Sequence, residues 1–240
     1  WAGGFLESVS YSFVAPRELE ALGAPPGVSL MNPLSVEQSA MRTTLLAGLL
    51  QSLARNLSFQ PESVRLYEIG RAYFPSQQPS SIPCREGRRV SGLLYGRRSP
   101  RTWTEKGEAV DFYDARAAVE AICRSLGIAE PKYAPCGDVG HLHPRRSATL
   151  SAGGEWLGGV GELHPRAAKA LGLPRGVQVF ELDLDKLCEL AALVPQLHPA
   201  PRFPAVLRDL AVVVGEERSA EEIRRIILDV GRPLLEDASI

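Results

Sequence analysis

The sequence has no apolar run close to the ~18 residues that a helix needs to cross a bilayer, and its first residues lack the basic start and apolar centre of a signal peptide. Its four cysteines show no Cys-x-x-Cys spacing, which excludes the usual zinc motifs and a disulfide framework. Cytosolic proteins keep such cysteines as free thiols. These absences predict a cytoplasmic protein with no membrane partner and no metal site.

An excess of charge of one sign is also missing. The 27 basic and 28 acidic residues give a formal net charge of -1, so the broad attraction to RNA that strongly basic domains show is excluded. Only four of the basic residues are lysine, and the others are arginine, which suits planar phosphate contacts. Any contact with RNA is therefore expected to be local. The apolar share of 45% and charged share of 23% are typical of folded globular proteins.

The apolar pattern predicts a helix followed by a strand. Five leucines between Leu46 and Leu57 repeat at helical spacing, which favours packing on a core over an inter-subunit face. Branched and aromatic residues over 64–74 predict a strand. Residues 75–88 are rich in Ser, Pro, Gln and Gly, and this composition predicts a loop.

Further elements follow along the chain. Asp114 is the expected N-cap of a helix that Gly127 ends. The short Gly153-Gly154 link predicts an antiparallel hairpin. The remaining predicted elements are strands at 90–95 and 177–184 and a short helix that starts at Leu163-His-Pro165.

A proline-rich stretch over 195–204 predicts a stiff linker, and we place a domain boundary there, between 1–197 and 198–240. After it, residues 208–214 predict a strand, and the capping box Ser219–Glu222 predicts a helix. About 40 residues with one strand and one helix cannot bury their own apolar faces. The second unit is therefore expected to be truncated or to pack on the first.

Several short motifs stand in order along the chain: Asn32-Pro-Leu-Ser, Met41-Arg-Thr-Thr-Leu-Leu, Arg65-Leu-Tyr-Glu-Ile-Gly-Arg71, Val110-Asp-Phe-Tyr-Asp114, His143-Pro-Arg-Arg-Ser, Gly158-Gly-Val-Gly-Glu-Leu-His-Pro165 and Arg202-Phe-Pro-Ala-Val-Leu-Arg-Asp-Leu-Ala. The helix and strand that carry the first three resemble the core of class II aminoacyl-tRNA synthetases. Taken together, the motifs resemble the C-terminal part of bacterial phenylalanyl-tRNA synthetase β subunits over nearly the whole chain.

This resemblance implies an α+β fold with an antiparallel sheet flanked by helices, as in the class II core. Residues 1–197 would be the catalytic-like domain, and 198–240 a linker and the start of a ferredoxin-fold anticodon-binding domain. The family's enzyme joins phenylalanine to its tRNA with ATP and magnesium, as an (αβ)₂ heterotetramer in which α holds the chemistry. The implied role is a scaffold for the α subunit and for tRNA that binds no cofactor itself.

The residues also argue against catalysis here. Adenylate formation places negative charge on the transferring α-phosphate, and a positioned arginine or metal must stabilise it. Active class II enzymes, as the resemblance implies, supply an arginine and a glutamate just after the aromatic residue of the strand, whereas here Phe74 runs into Pro75. The glycines of 158–161 lead to Glu-Leu-His-Pro instead of a nucleotide-binding arginine. No catalytic residue is assigned. A free-standing class II-like ATP-dependent ligase and an isolated RNA-binding module remain alternatives.

The densest basic stretch supplies candidates for RNA or partner binding. These arginines bracket a predicted strand and extend into the predicted loop, where phosphate contacts are easily made, although charged loops are usually just solvated. The candidates are Arg85, Arg88, Arg89, Arg97, Arg98 and Arg101.

Other polar residues favour structural roles. His141 and His143 have no accompanying carboxylate or thiol cluster for a metal, and His164 is expected to cap a helix. Glu68 and Arg71 are three apart on a strand and so lie on opposite faces, which favours a salt bridge or a surface role over a shared vestigial pocket.

Overall fold

A computed structural model describes residues 3–76, 84–99, 102–103, 107–128, 131–137, 139–194 and 203–239. The chain divides into two compact units, Trp1–Gln196 and Leu197–Ile240. The first unit is an α+β structure built on a mostly antiparallel sheet, and the second contains one helix among its described residues.

The first unit contains nine strands and five α-helices among its described residues, together with a 3₁₀ turn at Val36–Gln38. In chain order they are β1 Leu6–Glu7, β2 Phe13–Val14, α1 Pro16–Ala21, β3 Ala40–Met41, α2 Leu46–Leu57, β4 Ser63–Pro75, β5 Cys84–Gly96, α3 Phe112–Ser125, β6 Lys132–Pro135, β7 Leu142–Ala152, β8 Glu155–Leu163, α4 Pro165–Ala170, β9 Gln178–Asp183 and α5 Leu184–Leu190.

Seven strands form one sheet in the order β1-β4-β5-β9-β8-β7-β6. Strand β1 runs parallel to β4, and the five other neighbouring pairs are antiparallel. The predicted hairpin is confirmed as β7 and β8, joined through Gly153 and Gly154. Strands β2 and β3 form a separate two-stranded sheet.

Side-chain alternation gives the large sheet two apolar faces. The α2 face carries Leu66, Leu93 and Val179 and packs against the buried leucines of α2. The α3 face carries Leu94 and Phe180 and packs against α3 and α5. The prediction that the leucine stripe of 46–57 packs on a core is therefore confirmed.

The predicted loop at 75–88 is wrong at its end, because β5 starts at Cys84 and pairs with β4 as far as Pro75. Charged side chains hid this strand from composition. These charged side chains are compatible with a strand because two of them pack on an aromatic ring. The guanidinium groups of Arg85 and Arg89 lie 5.2 and 5.5 Å from the centre of the Phe74 ring. Residues 77–83 of the predicted loop lie outside the described residues.

The predicted N-cap of α3 is also corrected. Asp111 caps the helix by accepting the backbone N–H groups of Tyr113 and Asp114, and the Asp114 carboxylate accepts the N–H of Asp111 at 2.8 Å. Asp114 is thus the second half of a capping box. The helix ends before Gly127, whose φ of +66° suits glycine, as expected.

In the second unit, α6 spans Ala220–Gly231, and the Ser219 hydroxyl accepts the N–H of Glu222 at 3.2 Å. This confirms the predicted helix. The predicted strand at 208–214 is wrong: the segment has no regular structure, and Val213 is fully exposed. A strand needs a neighbour to satisfy its backbone, and among the described residues none pairs with this one.

Candidate functional site

A row of polar residues crosses the α2 face of the sheet. Glu68 on β4 lies opposite Ser91 on β5, which lies opposite Glu181 on β9, which lies opposite Gly159 on β8. Glu68 and Ser91 are buried, and Glu181 is partly buried. The row concentrates the buried polar side chains of this sheet face, including Glu68, which the sequence analysis singled out.

The first carboxylate of the row is paired with Arg42. The Arg42 guanidinium donates to Glu68 Oε1 at 2.6 Å, to the Ser10 hydroxyl at 3.0 Å and to the backbone oxygen of Arg71 at 2.9 Å. Ser10 in turn donates its hydroxyl to Glu68 Oε2 at 2.6 Å. The Arg42 and Glu68 side chains are 5% and 3% exposed, so this ion pair is internal to the protein.

The second carboxylate holds the start of α2. Glu181 Oε2 accepts from the Thr44 hydroxyl at 2.8 Å, the Leu45 N–H at 2.9 Å and the Ser91 hydroxyl at 2.6 Å. A negative charge at a helix N-terminus is stabilised by the helix dipole. Burial lowers the pKa of nearby His141, and the Glu181 charge opposes this shift.

Close packing accompanies these hydrogen bonds. A Cβ atom at Gly70 would lie 2.5 Å from the Arg42 guanidinium, and one at Gly48 on α2 would lie 2.1 Å from the Ser10 hydroxyl. The two glycines thus let the arginine and the serine reach the row. The Glu68 carboxylate and one oxygen of Glu181 are therefore bound by groups of the chain itself.

Glu68 and Arg71 lie on opposite faces of β4, as predicted. Glu68 is buried against Arg42, whereas Arg71 is exposed and forms an ion pair with Glu86 of β5. The prediction that each would take part in a salt bridge or lie on the surface, without sharing a pocket, is confirmed.

The candidate arginines of β5 are held by carboxylates. Asp185 accepts the backbone N–H of Arg88 at 2.9 Å and its Nε at 2.6 Å. Both hydrogen bonds lower the pKa of Asp185. The bond from the backbone N–H contributes most, and the bond from the guanidinium contributes next. Arg89 pairs with Asp183 where both side chains are nearly buried.

Arg98 is the most heavily paired candidate, with three carboxylates within 3.1 Å, those of Glu108, Asp111 and Asp114. Arg97 donates to the backbone oxygen of Gly107 at 3.3 Å. Arg101 lies outside the described residues. The structure thus spreads the described candidates over both ends of β5, with Arg88, Arg89 and Arg98 each bound to a carboxylate.

The histidine side chains have local roles. His164 caps α4 by accepting the N–H of Arg166 on Nδ1 at 3.0 Å, as predicted. His143 accepts the N–H of Arg145 on Nδ1 at 3.1 Å. Within the described ranges, no group of three or more His, Cys, Asp or Glu residues is placed to hold a metal ion.

One surface feature was missed by sequence reasoning. Backbone hydrogen bonds join Leu30 to Ser39 and Met41 to Val28, which forms a hairpin whose tip is residues 31–38. Apolar side chains at this hairpin tip are almost fully exposed: Met31 at 101%, Leu34 at 91% and Val36 at 80%. Clusters of exposed apolar residues mark interaction surfaces. Nothing in the residue types of this segment, half of which are polar, indicated that its apolar side chains would be exposed together.

Comparison with known proteins decides the family. Residues 1–184 match the family model described as the phenylalanyl tRNA synthetase beta chain CLM domain. The chain belongs to this family. The matched range contains the polar row and the hairpin tip, and it ends before α6.

Curated members of the family are similar along nearly the whole chain. The phenylalanine–tRNA ligase beta subunit of Anaeromyxobacter dehalogenans is 48% identical over 241 residues, covering 98% of this chain and 30% of that protein. The beta subunits of Moorella thermoacetica and Geobacter sulfurreducens are 39% and 35% identical and cover 98% and 93% of this chain. The chain spans about 30% of the length of these relatives.

Family membership agrees with the resemblance read from the motifs. The polar row therefore lies within the part of the chain that matches the phenylalanyl tRNA synthetase beta chain family. In the described part of the chain, no helix has both the length and the apolar character required to span a bilayer.

Proposed function

We propose that this chain is the catalytic-like module of a phenylalanine–tRNA ligase β subunit, and that it serves as a non-catalytic scaffold for subunit assembly and tRNA placement. Residues 1–197 form the class II-like domain, and 198–240 form the linker and the start of a ferredoxin-fold anticodon-binding domain. The family match and the similarity to curated beta subunits support this proposal.

The self-paired polar row is the observation that carries the non-catalytic role. A site that forms an adenylate must present positive charge to the α-phosphate. On the α2 face, the guanidinium of Arg42 is buried against Glu68, and the neighbouring Glu181 adds a second negative charge. A triphosphate brought to this row would meet carboxylates, and exposing Arg42 would leave Glu68 buried without its counter-ion.

Partner binding is the second part of the proposal. The whole enzyme is an (αβ)₂ heterotetramer in the cytoplasm that uses ATP and Mg²⁺, with the catalytic site in α. The hairpin tip supplies exposed apolar area for association with the α subunit, since burying about 25 cal/mol per Å² of such surface favours binding.

The six arginines of the basic stretch remain proposed contacts for tRNA or for a partner protein. They are Arg85, Arg88, Arg89, Arg97, Arg98 and Arg101. Arginine has five N–H donors, so Arg88 can keep its Asp185 contact through Nε while its terminal nitrogens bind a phosphate.

The test combines assembly and chemistry. We expect the chain to co-elute with the α subunit from the same source, with the mass of the assembly measured by light scattering. We also expect no phenylalanine-dependent exchange of pyrophosphate into ATP by the chain alone. Exchange by the chain alone would overturn the scaffold proposal in favour of a free-standing ligase. Steeply salt-dependent binding of tRNA without α would favour an isolated RNA-binding module.

Charged substitutions at the hairpin tip test the surface used for assembly. The double variant M31D/L34D should weaken binding to α by about 100-fold. Met31 and Leu34 are exposed in this chain, and the variant removes the apolar surface that they would bury in the complex. The control is L193D, which places the same charge on a leucine that is 70% exposed elsewhere in the first unit. Equal binding by M31D/L34D and L193D would exclude the hairpin tip from the interface.

A further inference from the structure

A cleft of about 470 Å³ opens at the edge of the α3 face. It lies between the start of α3, the end of β8 and the start of β9. This volume lies within the roughly 300–1,000 Å³ typical of small-molecule sites. It is separate from the polar row, which lies on the other face of the sheet. The side chains that matter for binding are Phe112, Tyr113, Arg146, Glu162, Arg175 and Gln178.

The floor of this cleft carries an unused hydrogen-bond acceptor. Gln178 is 4% exposed, and its Oε1 has no hydrogen-bond partner in the described part of the chain. Its Nε2 lies 3.5 Å from the backbone oxygen of Gly176, a long contact that favours this orientation of the amide. Buried acceptors are rarely left unpaired in proteins, so this amide oxygen is available to a water or to a ligand group that donates a hydrogen bond at the floor of the cleft.

The charges around the cleft favour an anion at its rim. Its two carboxylates are already paired, Asp111 with Arg98 at 3.1 Å and Glu162 with Arg146 at 2.8 Å. Arg175 is exposed, and among the described residues it has no ion-pair partner. This arginine therefore supplies the uncompensated positive charge of the cleft, and guanidinium groups bind phosphate through paired hydrogen bonds.

An aromatic wall completes the cleft. The rings of Phe112 and Tyr113 meet edge to face, with centres 5.5 Å apart and planes at 76°. Tyr113 is 68% exposed, so its ring is open to a ligand. Proteins that bind single-stranded nucleic acid commonly stack its bases on aromatic side chains within positively charged grooves.

We propose that this cleft binds one unpaired nucleotide of RNA whose base carries an amino group. The base stacks on Tyr113, its amino group donates to Gln178 Oε1, and its phosphate contacts Arg175. The three recognition elements of a nucleotide, a flat ring, a donor edge and an anion, are thus matched within one cleft. An anchoring segment of another protein would be matched better by an aliphatic pocket, and this floor is polar. The proposal concerns a second site, and it can be tested without the α subunit.

The test is equilibrium binding of AMP, adenosine and inorganic phosphate to the 240-residue chain, followed by saturation-transfer NMR. Y113A should weaken AMP binding by about tenfold or more through lost stacking. R175A should weaken AMP by about tenfold and leave adenosine unchanged, because it removes a charge-assisted contact to phosphate. Q178L should weaken both by roughly threefold. The matched control is R124A, which removes an exposed arginine at the far end of α3.

Circular dichroism of each variant separates loss of binding from loss of folding. Comparing the affinities for AMP and adenosine within one variant isolates the contribution of the phosphate. Three results would overturn the proposal. The first is failure of the native chain to bind AMP. The second is displacement of AMP by equimolar phosphate with Y113A unaffected, which would leave a simple anion site. The third is weaker binding of α by Y113A and R175A with no change in AMP binding, which would make the cleft a protein interface.

Discussion

The buried pair of Arg42 and Glu68 gives the sharpest test of the polar row. Replacing Arg42 with methionine keeps an unbranched side chain of similar length and removes the charge. Glu68 would then keep the Ser10 hydroxyl at 2.6 Å and a long contact to the Ser10 N–H at 3.4 Å. Its carboxylate would be buried without a counter-ion.

The cost follows from that burial. With side chains only 5% and 3% exposed, removal of one partner leaves an uncompensated charge, which typically costs about 3–5 kcal/mol. Loss of the hydrogen bond to the Arg71 oxygen is included in this range. With a urea m-value of about 2 kcal/mol/M, a loss of about 4 kcal/mol lowers the unfolding midpoint by about 2 M. The double variant R42M/E68L should recover most of this loss, because both charges are then removed.

Urea unfolding followed by tryptophan fluorescence measures this effect in the first unit, since all three tryptophans of the chain belong to it. R71M is the matched control: it makes the same substitution on β4 in an ion pair whose side chains are 62% and 47% exposed, and it should cost less than about 1 kcal/mol. Equal midpoints for R42M and R71M would refute the buried pair. Strict additivity of R42M and E68L would show that the two side chains do not interact.

Two further predictions concern stability. Gly127 and Gly172 each follow a helix and have φ of +66°. A Cβ at Gly127 would lie 2.2 Å from the Ala192 oxygen, whereas a Cβ at Gly172 would point into open space. G172A should therefore cost about 1–2 kcal/mol and G127A clearly more, as measured by urea midpoints, and equal costs would contradict the contact. Because burial lowers the pKa of His141 from 6.5 against the opposing charge of Glu181, the unfolded chain protonates first as the pH falls. The free energy of unfolding should then decrease below about pH 6.5 by up to about 1.4 kcal/mol per pH unit, and H141Q should flatten this dependence. Parallel pH profiles for H141Q and the native chain would contradict it.

The parts of the fold that the sequence predicted are those set by local pattern. The leucine stripe from Leu46 to Leu57 repeats every turn, so it defines α2 without knowledge of the rest of the chain. The errors have local causes as well. The arginines after Cys84 made the start of β5 look like a polar loop. The branched residues of 208–214 are typical of a strand, although no described strand pairs with them. Residue type indicates a preference for strand, but pairing decides it.

The polar row could not be predicted, because its contacts join distant segments. Arg42 reaches Glu68 across 26 positions, and Thr44 reaches Glu181 across 137. Glu68 was singled out from its place on β4, yet nothing within one strand shows which cation lies over it. Spacing rules work within a helix or a strand, where geometry is fixed, and they carry no information on which loop covers a sheet face.

The row also shows how a protein accommodates carboxylates on the face of a central sheet. Carboxylates on a central sheet face are costly unless they are paired, because burial penalises unpaired charge. Here Arg42 pairs with Glu68, and Glu181 accepts the free N–H of Leu45, so the second carboxylate also holds the start of α2 on the sheet. The negative charge of Glu68 is neutralised by Arg42, and that of Glu181 is stabilised by three hydrogen bonds, so groups of the chain itself compensate both carboxylates.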